Sequence, residues 1–164
     1  MTGEEILQKA QAKADEVKKG LEEALGGKIV SLAVTAPRRM FLQVAPEHLV
    51  ETCQLLKQKL GFNHLSTITG RDTGDKLEAL YHFAQLNMVL TVRAQTERAR
   101  PVLPTIMAVY PGAVFYEREV HELLGIGFDG HPDLRPLVLP EGWPEGVFPL
   151  RKDWQYNRQE GVIQ

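Results

Sequence analysis

Between Gly125 and Trp154 the chain carries Pro132, Pro136, Pro140, Pro144 and Pro149, interleaved with Gly127, Gly130, Gly142 and Gly146. Proline fixes φ and has no amide hydrogen, so this spacing forbids a long helix or a central strand and demands irregular, extended chain. A stretch of that kind ordinarily reads as a linker, but connections in compact domains usually take about 4 to 6 residues. Its side chains also argue against a linker: Phe128, Leu134, Leu137, Val138, Leu139, Trp143, Val147, Phe148, Leu150 and Trp154 are too apolar for disorder and need burial against something. The chain's own surface can take part of that area, and the rest is expected on another polypeptide. Residues 125–164 are therefore read as a docking arm. Interfaces favour buried aromatic and arginine anchors, which marks Trp143, Phe148, Trp154, Arg118, Arg135 and Arg151 as contacts with a neighbour.

The preceding residues predict an α+β fold, a mixed or antiparallel β-sheet covered by helices. Residues 1–27 form an N-terminal helix: Thr2 and Glu5 have capping-box spacing, and Ile6, Ala10, Val17, Leu21 and Leu25 make a thin apolar stripe that suits packing on the domain's own sheet. Residues 28–124 form the α+β domain. Ile29 to Thr35 and Arg39 to Val44 read as a hairpin turned at Pro37. Glu47 to Leu60, opened by Pro46 and stopped by Gly61, reads as a helix with Leu49, Val50, Cys53, Leu56 and Leu60 on one face. His64 to Thr69, Lys76 to Gln85 and Met88 to Ala94 are strands, with a loop over Arg71 to Asp75 and a tight turn near Asn87. In the second of these, Leu77, Ala79, Tyr81 and Phe83 alternate with Glu78, Leu80, His82 and Ala84, so one face should be buried and the other partly covered.

Ala113 to Leu124 is predicted to be helical, with Ala113, Tyr116, Val120, Leu123 and Leu124 on the apolar face and Gly125 as its C-terminal cap. Its charged face places Glu117 four residues before His121 and Arg118 four before Glu122. Exposed pairs at that spacing contribute about 0.2 to 0.5 kcal/mol each.

Composition narrows the function. A net charge of −2 gives no positive field to hold nucleic acid or an anionic bilayer, and short clusters such as Arg38-Arg39 leave an RNA-binding module as the weak alternative. The one cysteine, Cys53, sits in an apolar helix and reads as a core residue, so neither a disulfide nor a four-thiolate site can form within the chain. His121-Glu122-Leu123-Leu124 begins like a zinc-protease helix, but Gly125 stands where its second histidine belongs. His48, His64, His82 and His131 lack ligand spacing, so no metal is expected. Gly26-Gly27-Lys28 lacks the first P-loop glycine, since Glu22 occupies that position. The charged N-terminus excludes a signal peptide, and no apolar run approaches the roughly 20 residues that span a bilayer, so a cytoplasmic address with indirect membrane contact is expected.

Tyr116-Glu117-Arg118-Glu119-Val120-His121-Glu122-Leu123-Leu124-Gly125-Ile126, followed by Phe128-Asp129-Gly130-His131-Pro132-Asp133-Leu134-Arg135 and by Pro149-Leu150-Arg151-Lys152-Asp153, resembles the signature of the 30 kDa subunit family of respiratory complex I. The resemblance implies a cofactor-free structural subunit of a hydrophilic arm, a non-catalytic member of an oxidoreductase complex on the cytoplasmic side of the membrane. Its implied partners are a protein like the large subunit of nickel-iron hydrogenases, the 49 kDa-like subunit, and an iron–sulfur small subunit; iron–sulfur clusters and nickel-iron chemistry would belong to those chains. It also implies that Glu117, Arg118, Glu119, His131, Pro132, Asp133, Arg135, Arg151 and Asp153 lock the arm onto its neighbours, with His121 joining them. His121-Glu122 differs from the aromatic or aliphatic residue and Asp usual in respiratory members. With the short stretch after Trp154, this resembles the subunit of membrane-bound group 4 hydrogenases or formate hydrogenlyase. On this reading truncation before Gly125 should spare the domain and abolish assembly. Arg118→Ala or Arg151→Ala should cost about 2 to 5 kcal/mol of association if each arginine meets a buried carboxylate across the interface.

Overall fold

A computed structural model describes residues 2–85 and 88–155. The chain opens with helix α1 (Gly3–Leu25), whose capping box forms as its spacing predicts: the Glu5 amide donates to Thr2 Oγ1 at 3.3 Å, and the Thr2 amide to Glu5 Oε2 at 2.8 Å. Strands β1 (Ile29–Ala36) and β2 (Arg39–Val44) follow as the expected hairpin, then α2 (Leu49–Gln58), β3 (His64–Asp72), β4 (Lys76–Gln85) and β5 (Met88–Glu97). The short β6 (Val102–Pro104), helix α3 (Ala113–Leu124) and short β7 (Gly127–Asp129) complete the regular elements. The turn expected near Asn87 lies outside the described residues.

The main sheet runs β1-β2-β5-β4-β3. All its pairings are antiparallel except β2 with β5, which is parallel and needs α2, β3 and β4 as its crossover. The fold is therefore α+β with a mixed sheet. One face, carrying Met40, Leu42, Leu77, Ala79, Tyr81, Phe83, Leu90 and Val92, shares its core with Val17, Leu21 and Leu25 of α1, with Cys53 and Leu56 of α2, and with Val120 and Leu124 of α3. Cys53 is buried, and burial pushes its thiol well up from the ordinary value. Alternation along β4 follows the expected pattern, with Leu77, Ala79, Tyr81 and Phe83 buried.

Helix α3 lies on β3 at Gly70, where a Cβ would stand 2.1 Å from Leu124 Cδ1. Glycine is what allows the helix that close to the strand.

Two expectations are corrected. The loop expected over Arg71 to Asp75 begins later, because β3 extends through Asp72: Arg71 Nε donates to Glu78 Oε2 across the ladder at 2.7 Å, and Asp72 is buried with partners of its own. Charge alone suggests a loop there, and paired charge stabilises strand instead. The division expected between residues 124 and 125 does not fall at a break in packing. Ile126 and Phe128 belong to the core, β7 pairs in parallel with β6, and the Thr105 amide donates to the Asp129 carbonyl at 2.9 Å. A chain cut before Gly125 loses core residues as well as the arm, so folding and assembly would fail together.

Candidate functional site

The arm is held against α3 through its own backbone. Arg118, in the middle of the helix, donates from Nε to the Arg135 carbonyl at 2.9 Å and from a terminal nitrogen to the Pro136 carbonyl at 2.8 Å. One turn on, the Glu122 carboxylate accepts the amides of Leu137 at 3.0 Å, Val138 at 2.7 Å and Leu139 at 2.9 Å. A cation thus takes the carbonyls and an anion takes the amides of five consecutive residues that belong to no strand. This satisfies polar groups that proline-rich chain cannot pair with itself. The Arg118–Glu122 pair expected along the helix surface does not form, because each side chain is engaged by the arm. Glu122 escapes a reading of the charged residues as outward anchors; the signal for it is its place one turn after Arg118, ahead of a segment rich in unpaired amides.

The neighbouring charges also point inward. Glu117 is fully buried: it accepts the Thr105 hydroxyl at 2.5 Å and the Ile106 amide at 2.8 Å, tying α3 to the segment after β6. Burial pushes its carboxyl above the ordinary carboxylate value, against the pull of those two bonds and of His131. It makes no pair with His121, whose Nδ1–H donates instead to the Ile126 carbonyl at 2.9 Å and closes the turn after the helix. The His131 side chain is enclosed, with Nε2–H donating to the Val114 carbonyl and Nδ1 accepting the Asp133 amide, each at 3.1 Å. Glu117 and His131 are therefore internal struts, and their expected contact with a neighbour is withdrawn: neither side chain reaches the surface.

The far end of the arm is tied back as well. Gly125, at φ 74°, caps α3, and a Cβ there would meet the Phe148 ring at 2.5 Å. The Arg151 guanidinium lies 4.3 Å from the Phe148 ring centre and donates through Nε to the Leu124 carbonyl at 2.7 Å. Asp72 accepts the Lys152 amide at 2.9 Å and the Gly74 amide at 2.8 Å, and Arg98 bridges it to Asp153 at 2.7 Å. Burial raises the Asp72 carboxyl, but the Arg98 guanidinium and the two amides outweigh it and hold the group down at about 2. Trp143 donates its indole N–H to the Val147 carbonyl at 2.8 Å and stands 6.3 Å from the Trp154 ring.

The remaining candidates are outward-facing. Glu119 and Pro132 are exposed, and Arg135 is largely exposed, clasping Asp133 two residues before it at 2.7 Å. Arg118 and Arg151 spend their charge on carbonyls of their own chain. Truncating either therefore loosens the arm first. With the polar groups turned to its backbone, the arm displays apolar side chains, namely Leu137 at 43%, Val138 at 57% and Leu150 at 57% exposed. Between arm and helix lies a cleft of about 660 Å³ bordered by His121, Glu122, Leu137, Pro140, Trp143 and Phe148. Among the described residues no group of three or more His, Cys, Asp or Glu is placed to hold a metal ion, and no helix is long and apolar enough to cross a membrane.

Residues 42–160 match the family model described as the respiratory-chain NADH dehydrogenase, 30 Kd subunit. The chain is 40% identical over 141 residues to the C subunit of the F(420)H(2) dehydrogenase of Methanosarcina mazei, covering 81% of this chain and 89% of that one. It is 37% identical over 118 residues to the C/D subunit of the NADH-quinone oxidoreductase of Phocaeicola vulgatus, covering 69% of this chain and 22% of that one. Its fold matches a chain in the structure of the membrane-bound sulfane sulfur reductase, an archaeal respiratory membrane complex, with a TM-score of 0.75 at 24% identity over 87% of this chain and 85% of the other.

Proposed function

We propose, from the premise that the chain belongs to the 30 kDa subunit family of respiratory-chain NADH dehydrogenase, that it is a non-catalytic docking subunit of a membrane-associated oxidoreductase complex. The observation that carries this reading is the arm's division of labour: Arg118 and Glu122 fix its backbone, and Leu137, Val138 and Leu150 are left facing solvent. Large apolar side chains displayed on a fixed, irregular segment are what a partner interface uses and what a free monomer avoids.

The partner is the D-type subunit, like the large subunit of nickel-iron hydrogenases, with an iron–sulfur small subunit beside it. The Phocaeicola relative supports this, since its name joins C and D in one polypeptide of which this chain covers the smaller part. Such a fusion keeps the two units within a linker's reach of each other in one complex. The redox centres, iron–sulfur clusters among them, reside in those partners, and this chain supplies assembly and support. Membrane contact is indirect, on the cytoplasmic face, and no nucleic acid is involved.

The strong likeness to an F(420)H(2) dehydrogenase subunit supports a dehydrogenase of the complex I kind. The second reading is an energy-converting hydrogenase or formate hydrogenlyase, favoured by His121-Glu122, whose imidazole closes the turn after α3. Mild detergent extraction of native membranes and purification through a tag on the full chain tests both. A D-type subunit and an iron–sulfur subunit are expected in equal amounts with it, whereas recovery of the chain alone overturns the docking role. Nickel in the purified complex, measured by elemental analysis, selects the hydrogenase reading, and its absence the dehydrogenase.

A further inference from the structure

The sheet face turned away from the helices has its own chemistry. Alternation puts Phe41 and Gln43 of β2, Val89, Thr91 and Arg93 of β5, and Glu78 and His82 of β4 on that side, opposite the core residues Met40, Leu42, Leu90 and Val92. Phe41 is 43% and Val89 39% exposed. Arg39, Met40, Phe41, His82, Val89 and Thr91 border a hollow of about 270 Å³, in which His82 Nδ1 lies 3.0 Å from Thr91 Oγ1.

The charge on this face has one dominant sign. Glu78 is enclosed and already shared: Arg71 binds one of its oxygens, while the Gln95 amide donates to the other and Arg93 stands 3.8 Å from it. Lys76 is paired with Glu97 at 3.2 Å. The same side thus carries Arg39, Arg71, Arg93 and Lys76 against Glu78 and Glu97, a surplus of two positive charges in a chain whose net charge is −2. Arg39, with Arg38 beside it in the turn, has no ion pair among the described residues and stands at the rim of the hollow. An apolar hollow edged by the unpaired Arg39, with Arg38 next to it in sequence, fits an acidic surface bearing one large apolar side chain.

We infer that this sheet face is a second docking surface, distinct from the arm, which receives an acidic segment of another protein subunit with an apolar side chain seated between Phe41 and Val89. The helices and arm occupy the other side of the sheet, so both surfaces can be filled at once and the chain bridges two neighbours. This goes beyond the docking role already proposed and presupposes only that the chain works inside a complex.

Cysteine reporters test it, because the natural Cys53 is buried and slow to react. Full chains with Phe41→Cys or Val138→Cys are labelled with a maleimide, free and within the complex purified from membranes, and read by peptide mass spectrometry. Both sites should react readily in the free chain and at least about tenfold more slowly in the complex, since a covered thiol is inaccessible. Adding Arg38→Glu with Arg39→Glu should restore labelling at position 41 and leave position 138 protected. Labelling at 41 that is unchanged by assembly overturns the inference, and so does protection that survives the charge reversal. Protection that appears on concentrating the free chain identifies a second copy, and protection removed by nuclease identifies nucleic acid; either overturns it. Loss of protection at 138 alone strikes the arm and leaves the sheet surface standing.

Discussion

Glu117→Ala is expected to lower the stability of the free chain by about 2 to 3 kcal/mol, a fall in Tm of roughly 4 to 12 °C for a protein of this size. The carboxylate is the acceptor for the Ile106 amide and the Thr105 hydroxyl, which would lose this partner in a space that water does not reach. Each stranded donor costs about 1 to 3 kcal/mol, offset in part because the mutant no longer buries an acid. Glu117→Gln separates those contributions. Since burial raises the folded-state pKa above the unfolded value, the acid contributes most when protonated. Its contribution is complete below the unfolded pKa and is lost as pH rises through the folded one. Wild type should therefore lose stability relative to Glu117→Gln across that rise. Thermal unfolding at a series of pH values measures this; a pH-independent difference would place the carboxylate in contact with water.

The second large effect falls on assembly and leaves the fold alone. Leu137→Glu with Val138→Glu should weaken association with the D-type partner by about a thousandfold, or about 4 kcal/mol, because two carboxylates would enter an apolar contact without partners. The Tm of the free chain should stay nearly unchanged, since both side chains face solvent and only their amides are held, by Glu122. Binding measured by titration of the separated subunits, with unfolding measured in parallel, distinguishes this from a folding defect. A variant that unfolds early would mean that these side chains pack on their own domain.

Much of the architecture is legible from periodicity. The β1–β2 hairpin, the capping box of α1, the alternation of β4 and the span of α3 all follow from local pattern, because each element buries one stripe or one face. The parallel pairing of β2 with β5 is not legible, since it joins residues about fifty apart and no local signal states which strand lies beside which. At the site, the three motif blocks mark α3 and the arm that packs on it but not the direction of the charges. Ala113, Glu117, Val120 and Leu124 recur at the spacing of one buried stripe, which places Glu117 inside. The i,i+4 offset to His121 suggests a surface pair instead. Arg118 and Glu122 look like the same kind of pair, and only the folded chain shows an arm backbone lying between helix and solvent. The Asp72–Arg98–Asp153 tie joins residues from distant parts of the chain and leaves no trace in spacing.

If the interior-facing charges shape the arm before any partner arrives, then the amides of Leu137, Val138 and Leu139 are protected by the Glu122 carboxylate in the isolated protein. Amide hydrogen exchange on the free full-length chain reads this directly. The three should exchange well below unstructured-chain rates and revert to those rates in Glu122→Ala, while the amides of β4 and β5 stay protected. Unstructured-chain rates at all three in the wild type would show instead that the arm takes its form only on the partner.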